Sequence, residues 1–309
     1  MADANRTSLR FIEEVTWNTL PGTPTMTALR YTGESLNAEL ETIASNEVRS
    51  DRMVSDLIQV SRQNSGGFDF EFSYGSFDTL LEGALFGDWT TDVLENGTVE
   101  HSYSIEKAHL DIDEYFLFTG MMVNEFNMTL ATSSIATGSF GFLGSAVTLA
   151  QSTNAATVTL ANSNTIMNCM GNVSSLKEAT SGGTLTALTG IFVQELSFSI
   201  NNNLRPIFAV GSNVIMDVGI GKQDLTGTLT AYFTSDRLFD KFLAATAIQL
   251  EFTITDVTNT FTVLIPKAKF ETDSIPAPGN DQDVIETLTW RALYNSATAS
   301  HIVITRVTG

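Results

Sequence analysis

Few of these 309 residues have the type and spacing of a reaction centre. The three histidines, His101, His109 and His301, fall in no zinc-binding or nucleophile–base pattern. Cys169 is the sole cysteine, which excludes an internal disulfide, and it sits in no Cys–His motif. Asp111, Asp113 and Glu114 alternate as calcium ligands can, yet they lack the glycine and the distal bidentate glutamate of an EF-hand loop. No phosphate-binding loop, HExxH helix or nucleophile elbow occurs. Carboxylate pairing of the glycosidase kind depends on distances that a sequence does not contain, and the acids here fall mostly on the polar phase of alternating segments. The expectation is a protein that is not an enzyme and needs no metal or cofactor.

Composition points the same way. Charged residues make up 17% of the chain against a usual figure of about 25%. Ser, Thr, Asn and Gly take their place, a mixture suited to strands and turns. The net charge is −19, so no global attraction to nucleic acid is expected, because phosphate binding needs Lys and Arg. The polar start, Met1 to Arg6, has no apolar signal-peptide core, and no stretch approaches the roughly 18–20 apolar residues of a membrane helix. Synthesis and assembly in a cytoplasm, with no membrane insertion, are therefore expected. The tripeptides at Asn127 and Asn172 match a glycosylation pattern that has no meaning there.

The elements that must position any site are mainly strands. Apolar and polar residues alternate over 36–42, 68–74 and 124–130, and again near 196–200, 250–254, 261–265 and 288–292. Each run has one apolar face, as in an antiparallel sheet covered on one side. Two short helices are expected, over 76–86 capped by Ser76 and over 236–246 capped by Ser235. Phe77, Leu80, Leu81, Ala84 and Leu85 form the apolar stripe of the first; Leu238, Phe239, Phe242 and Leu243 form that of the second.

The two helices expose an internal duplication. The segment Ile58–Asn64 corresponds to Val218–Asp224, Leu36-Ala38-Leu40 to Leu196-Phe198-Ile200, and Phe77–Leu81 to Phe239–Leu243. Ile105–His109 is matched to Ile265–Lys269. The separation stays near about 160 positions. Three regions follow: a first repeat with an N-terminal arm over 1–145, a Ser/Thr/Asn/Gly-rich linker of loop or weak strand over 146–188, and a second repeat over 189–309. Each repeat carries a long loop, 43–56 and 202–214, and loops of that length are usually functional or disordered.

The order of several blocks resembles that of siphophage tail tube proteins. They are Glu13-Glu14-Val15-Thr16-Trp17-Asn18-Thr19-Leu20-Pro21, Leu29–Leu36, Arg49–Val54, Gly66-Gly67 and Phe77–Leu85 in the first half. In the second half they are Glu195–Arg205, Asp224–Gly227, Ile265–Lys269 and Gly279–Asp283. The likeness covers nearly the whole chain and rests on packing and turn residues. It implies duplicated β-sandwich tube domains, each flanked by a short helix, with inner sheets joining into a multi-chain β-barrel around a DNA channel. The implied partners are other copies of the chain, in a trimeric ring with pseudo-sixfold symmetry or a hexameric ring, stacked into a tube. Tape measure, tail tip and terminator proteins are also implied partners, and the implied location is the virion tail.

Within that frame, Glu39, Glu41, Asp69, Glu71 and Glu251 are candidates for the channel wall, where negative charge leaves DNA phosphates nothing to bind. Glu47, Arg49, Asp51, Arg52, Arg205 and Asn213 are candidates for contacts between rings, because they lie in the two long loops. The competing readings are another tail component, such as a hub or terminator, and a carbohydrate-binding adhesin module. The adhesin reading needs exposed aromatic platforms, for which only Trp17, Trp89 and Trp290 are at hand.

Overall fold

A computed structural model describes residues 1–256 and 258–308. The first half runs β1 (Thr7–Glu13), β2 (Thr25–Ala28), β3 (Gly33–Glu34), β4 (Asn37–Ala44), β5 (Leu57–Glu71), helix α1 (Asp78–Leu85), β6 (Val93–Glu95) and β7 (Tyr103–His109). It ends in β8 (Glu114–Ala131), β9 (Thr137–Gly144) and β10 (Ala146–Ala150). The middle carries β11 (Thr157–Thr159), β12 (Val173–Thr180) and β13 (Thr186–Ala187). The second half adds β14 (Val193–Asn201), β15 (Arg205–Ile207), β16 (Asp217–Gly219), β17 (Asp224–Tyr232) and helix α2 (Arg237–Leu243). It closes with β18 (Ile248–Thr255), β19 (Thr260–Ser274), β20 (Ile285–Ala292) and β21 (Val303–Val307).

One long strand organises each half, β8 in the first and β19 in the second. The start of β8 pairs with β7 on one side and β10 on the other; beyond a bulge, its remainder pairs with β14 and β9. The start of β19 pairs likewise with β18 and β21, and its remainder with β20. Each strand therefore belongs to both layers of a β-sandwich, which is how bent strands make sandwich corners. β1 flanks β7 as β12 flanks β18. The repeat is thus visible as topology: β1, β4, β5, α1, β7, β8, β9 and β10 find counterparts in β12, β14, β17, α2, β18, β19, β20 and β21.

This correspondence revises the sequence matches: Leu36 corresponds to Phe198, Asn64 to Leu225 and Ala84 to Leu243, shifts of one to three residues, and one match changes strand. Ile105–His109 lies in β7, whose counterpart is β18, whereas Ile265–Lys269 lies in β19, the counterpart of β8. The two segments share composition because both alternate beside a hairpin. The helix caps also differ from expectation. Phe77 and Asp236 precede the helices with no side-chain cap bond, and the Ser76 hydroxyl bonds that of Ser73 at 2.6 Å. In α2 only Leu238 is fully buried, while Leu243 lies 65% exposed at the end of two short turns. The expected linker contains β10 to β13, and β12 follows β18 over most of its length.

One apolar core fills both halves. Its centre is aromatic: the rings of Phe70 and Phe77 lie 4.1 Å apart and those of Phe126 and Phe140 4.9 Å apart. Trp290 is fully buried in the second half. The buried carboxylate of Glu14 anchors the N-terminal arm. It accepts from the backbone N–H of Asn18 and Gly120 at 2.7 and 2.9 Å, and from the Ser102 and Ser104 hydroxyls at 2.8 and 2.7 Å. The C-terminal strand is locked onto the first half. Arg306 bonds Asp78, lies 3.3 Å from Asp92 and stacks 4.2 Å above the Trp89 ring.

Two corresponding glycines set the spacing of each inner sheet. A Cβ at Gly66, whose φ is +99°, would stand 2.1 Å from the Ser35 carbonyl oxygen. A Cβ at Gly227 would stand 2.4 Å from the Ser197 carbonyl oxygen and 2.2 Å from Trp290. Both contacts involve backbone that cannot move aside. Gly227→Ala is expected to destabilise the fold by about 2–3 kcal/mol, read as a lower urea midpoint with an unchanged slope.

Candidate lumen face and assembly edges

The inner layers of the two halves are joined. β8 and β14 pair antiparallel from Glu125↔Asn201 to Ala131↔Glu195, so the strands run continuously in the order β4, β5, β9, β8, β14, β17, β20, β19. Apolar residues of this run point to the core. The opposite face is built of small polar side chains in register across the strands. Asp69, Ser139, Asn127, Ser199, Thr226 and Arg291 form one row. Glu71, Thr137, Thr129, Ser197, Thr228 and Thr289 form the next. Many of these groups bond one another, as in Thr272 to Thr289 at 2.6 Å and Asn127 to Ser139 at 3.1 Å. Such a wall presents hydroxyls and amides with little apolar surface, and its cations are few: Lys269 is exposed in register with Arg291. Its arginine, Arg291, is held by Glu271 and Asp224, bonds that raise its pKa further.

Four of the expected wall residues come together on this face. Glu39 and Glu41 lie on β4 and Asp69 and Glu71 on β5, all in the same phase of one sheet. Glu39 accepts from Ser65 and from Gln63, the latter at 2.9 Å, and these bonds hold its carboxyl below the ordinary range. Glu41 accepts from Ser61 at 2.7 Å. Glu251 stands apart: it lies on β18 in the other layer, 2.6 Å from Lys177. Glu125, Glu195, Asp224 and Glu271 share the polar face and were not singled out in the sequence. Their signal was available as acids on the polar phase of alternating strands.

The two long loops have different fates. β4 and β5 extend the first into a hairpin whose end carries Glu47, Arg49, Asp51 and Arg52, with Arg49 and Asp51 paired at 2.5 Å. Ile43, Val48, Met53, Val54, Leu57 and Ile58 are exposed on it. The second loop folds into the β15–β16 hairpin, which carries Arg205, and packs onto its own chain. Ile215 and Val218 are buried with Phe86 and Met122, and the Asn213 carbonyl accepts from the Arg62 N–H at 2.7 Å. The two loops therefore do not present equivalent surfaces.

The histidines, the cysteine and Asp111 lie apart from this face. His101 lies 2.6 Å from Glu13, His109 contacts the Thr7 hydroxyl, and burial lowers the pKa of His301. Burial raises that of the Cys169 thiol, away from the nucleophilic thiolate. The Asp111 carboxylate accepts from the Asp3 N–H at 2.6 Å.

Among the described residues, both ends of the eight-strand run are open. β4 pairs only with β5, whereas its counterpart β14 has a partner on each side. Beyond Ala268, β19 pairs only with β20, whereas β8 pairs there with both β9 and β14. Near these edges polar groups break the apolar phase. Asn64 is 0% exposed, and its amide nitrogen and oxygen have no partner among the described residues. Glu286 is 2% exposed and neighbours Asp273, both of whose carboxylate oxygens are likewise unpaired.

A duplicated sandwich with a polar inner sheet and two unsatisfied edges defines a self-assembling structural subunit. A model of the phage tail tube protein family matches residues 4–292, and the chain belongs to that family. It is a structural subunit of the tail tube, assembling with itself and with other proteins of the virion tail. No match was found among curated proteins.

Burial, with Asp273 beside it, pushes the Glu286 carboxyl up to about 7 from 4.5. Between those values the unfolded chain releases a proton that the folded chain keeps, so stability falls as pH rises and levels off above about 7. The urea midpoint of the dilute, unassembled protein is expected to drop between pH 5 and pH 8. Glu286→Gln is expected to flatten that drop; an unaltered slope would assign the proton to another group.

Proposed function

We propose that three copies close into a ring of six similar sandwich units and that rings stack into the channel through which DNA leaves the virion. The observation carrying this reading is the eight-strand inner run, made of two corresponding four-strand units and open at both ends. Repeating an internal joint between copies gives a closed barrel, which removes the exposed edges that otherwise invite uncontrolled pairing. The two tube units of this reading are an N-terminal one ending near 145 and a second over 189–309, to which β12 contributes its outer strand. The protein catalyses no reaction in this reading and assembles in the host cytoplasm with the tape measure, tail tip and terminator proteins.

The Ser/Thr/Asn-rich face, with Glu39, Glu41, Asp69 and Glu71, would line the channel. DNA phosphates meet a hydrated wall there on which acids outnumber Arg291 and Lys269, so net repulsion lets passage proceed with little friction. Glu251, paired with Lys177 in the outer layer, takes no part. The β4–β5 hairpin would reach the next ring. An isolated hairpin is marginal in water, and the apolar residues exposed on this one gain stability when a neighbour covers them. Arg205 and Asn213, on the hairpin held against its own chain, stand in a supporting position at most.

Negative-stain microscopy of the concentrated protein tests this reading. Hollow tubes of uniform width, with three copies per ring in end views, are expected; rings of six chains would overturn the trimer. Deleting 47–53 is expected to leave the fold and the rings intact and to abolish stacking. Normal tubes from that variant would exclude the hairpin as the axial contact.

A further inference from the structure

The chain contains its own template for the joint between copies. The counterparts of β8 and β14 are β19 and β4, and these are the strands whose outer sides are unpaired. The correspondence is fixed residue by residue. Gly66 lies opposite the backbone of Ser35 as Gly227 does opposite that of Ser197, which equates β4 with β14 and Leu36 with Phe198. The bulge at Val123/Glu125 recurs at Phe270/Thr272, which equates Glu125 with Thr272. The positive-φ residues after the helices, Phe86 and Ala245, equate Ala84 with Leu243.

Resting on the tube reading, we propose that β4 of one copy pairs antiparallel with residues 272–275 of β19 and its extension in a second copy, in the register of β14 on β8. This sets Glu39 opposite Thr272, Ala38 opposite Asp273, Asn37 opposite Ser274 and Leu36 opposite Ile275. Every pair then has matching faces, polar outward and core-directed inward.

The same register gives partners to the orphaned groups. In the internal joint the core row is Leu225, Ile200, Phe126 and Phe140, all apolar. In the joint between copies it becomes Asn64, Ala38, Asp273 and Leu288. The small Ala38 leaves lateral room between the Asn64 amide and the Asp273–Glu286 carboxyls. An amide donor facing carboxylate acceptors satisfies both, where leaving either buried alone is costly.

One turn along, Asn202 and Gln223 donate to the Ala84 carbonyl at the end of α1, at 3.1 and 2.9 Å. Their counterparts are Leu40 and Arg62, and the counterpart of Ala84 is Leu243 at the end of α2. Leu40 is 58% exposed, and the Arg62 Nε is buried without a partner. Leu40 would thus cover the exposed Leu243 of the second copy, and Arg62 would donate to its helix-terminal carbonyls, where a cation is favoured.

Cysteine pairing tests the register. In a Cys169→Ala background, Asn37→Cys and Ser274→Cys proteins are mixed and mildly oxidised at a concentration where wild type forms rings. Disulfide-linked dimers are expected from the mixture and not from either protein alone. Glu41→Cys mixed with Ser274→Cys, about 13 Å out of register, is expected to give none. Rings without the 37–274 bond, or with an equally strong 41–274 bond, would overturn this joint and leave the tube reading intact. Absence of rings from wild type together with absence of the bond would overturn both. Asn64→Leu tests the polar match separately. It is expected to raise the monomer's urea midpoint while raising the concentration needed for rings by about tenfold; unchanged ring formation would exclude the Asn64–Asp273 contact.

Discussion

The antiparallel joint between Glu125–Ala131 of β8 and Glu195–Asn201 of β14 is the constraint on which the rest depends. It turns two four-strand layers into one run and so fixes which face of each half is shared. With that joint made, Leu196, Phe198 and Ile200 must point into the core, because a one-residue slip would turn every side chain of β14 to the other face. The second hairpin is then carried over the first half, where Ile215 and Val218 are covered. The first hairpin has no such cover within the chain. The difference between the two loops is therefore a consequence of position and needs no difference in intrinsic folding preference.

Buried polar groups mark where the monomer is complete and where it is not. Glu14 has four donors, and Glu178 is met by Arg237 at 2.8 Å and by Lys241, so these acids tie segments together within one chain. Asn64, Asp273 and Glu286 lack such partners among the described residues and sit near the open edges. A buried amide or carboxylate without a partner destabilises an isolated chain. Grouped at opposite ends of a single sheet run, they distinguish an assembly unit from a freestanding sandwich.

Much of this was legible in the sequence. Period-two alternation located the inner strands, and the apolar stripe located α1, because both patterns are set by local geometry and burial. The polar phase of β4 and β5 placed Glu39, Glu41, Asp69 and Glu71 on a common face. Glu251 also lies on a polar phase, but alternation does not say which layer a strand joins, and β18 joins the outer one. The pairing of β7 with β8 and of β18 with β19 likewise depends on contacts between strands, which is why β7 was first matched with β19. Ser76 and Ser235 looked like caps by type, yet the helices begin further along the chain. The most informative positions, Asn64, Asp273 and Glu286, are polar residues on apolar phases. They break the alternation, and only the sheet order reveals that the breaks face open edges.

Fusion of the two units has a kinetic consequence. Because β8 and β14 belong to one polypeptide, every second joint of any ring built from this chain closes during folding, at an effective concentration that no dilution alters. Ring closure then involves half as many encounters as it would with separate units, and half as many chances for a unit to enter in the wrong order. The covalent joint is also free of any need to open. Its row of Leu225, Ile200, Phe126 and Phe140 can be as apolar as a domain core, while Asn64 and Asp273 near the open edges keep a polar character. The repeated topology places a joint sealed within the chain and two open edges along one continuous sheet.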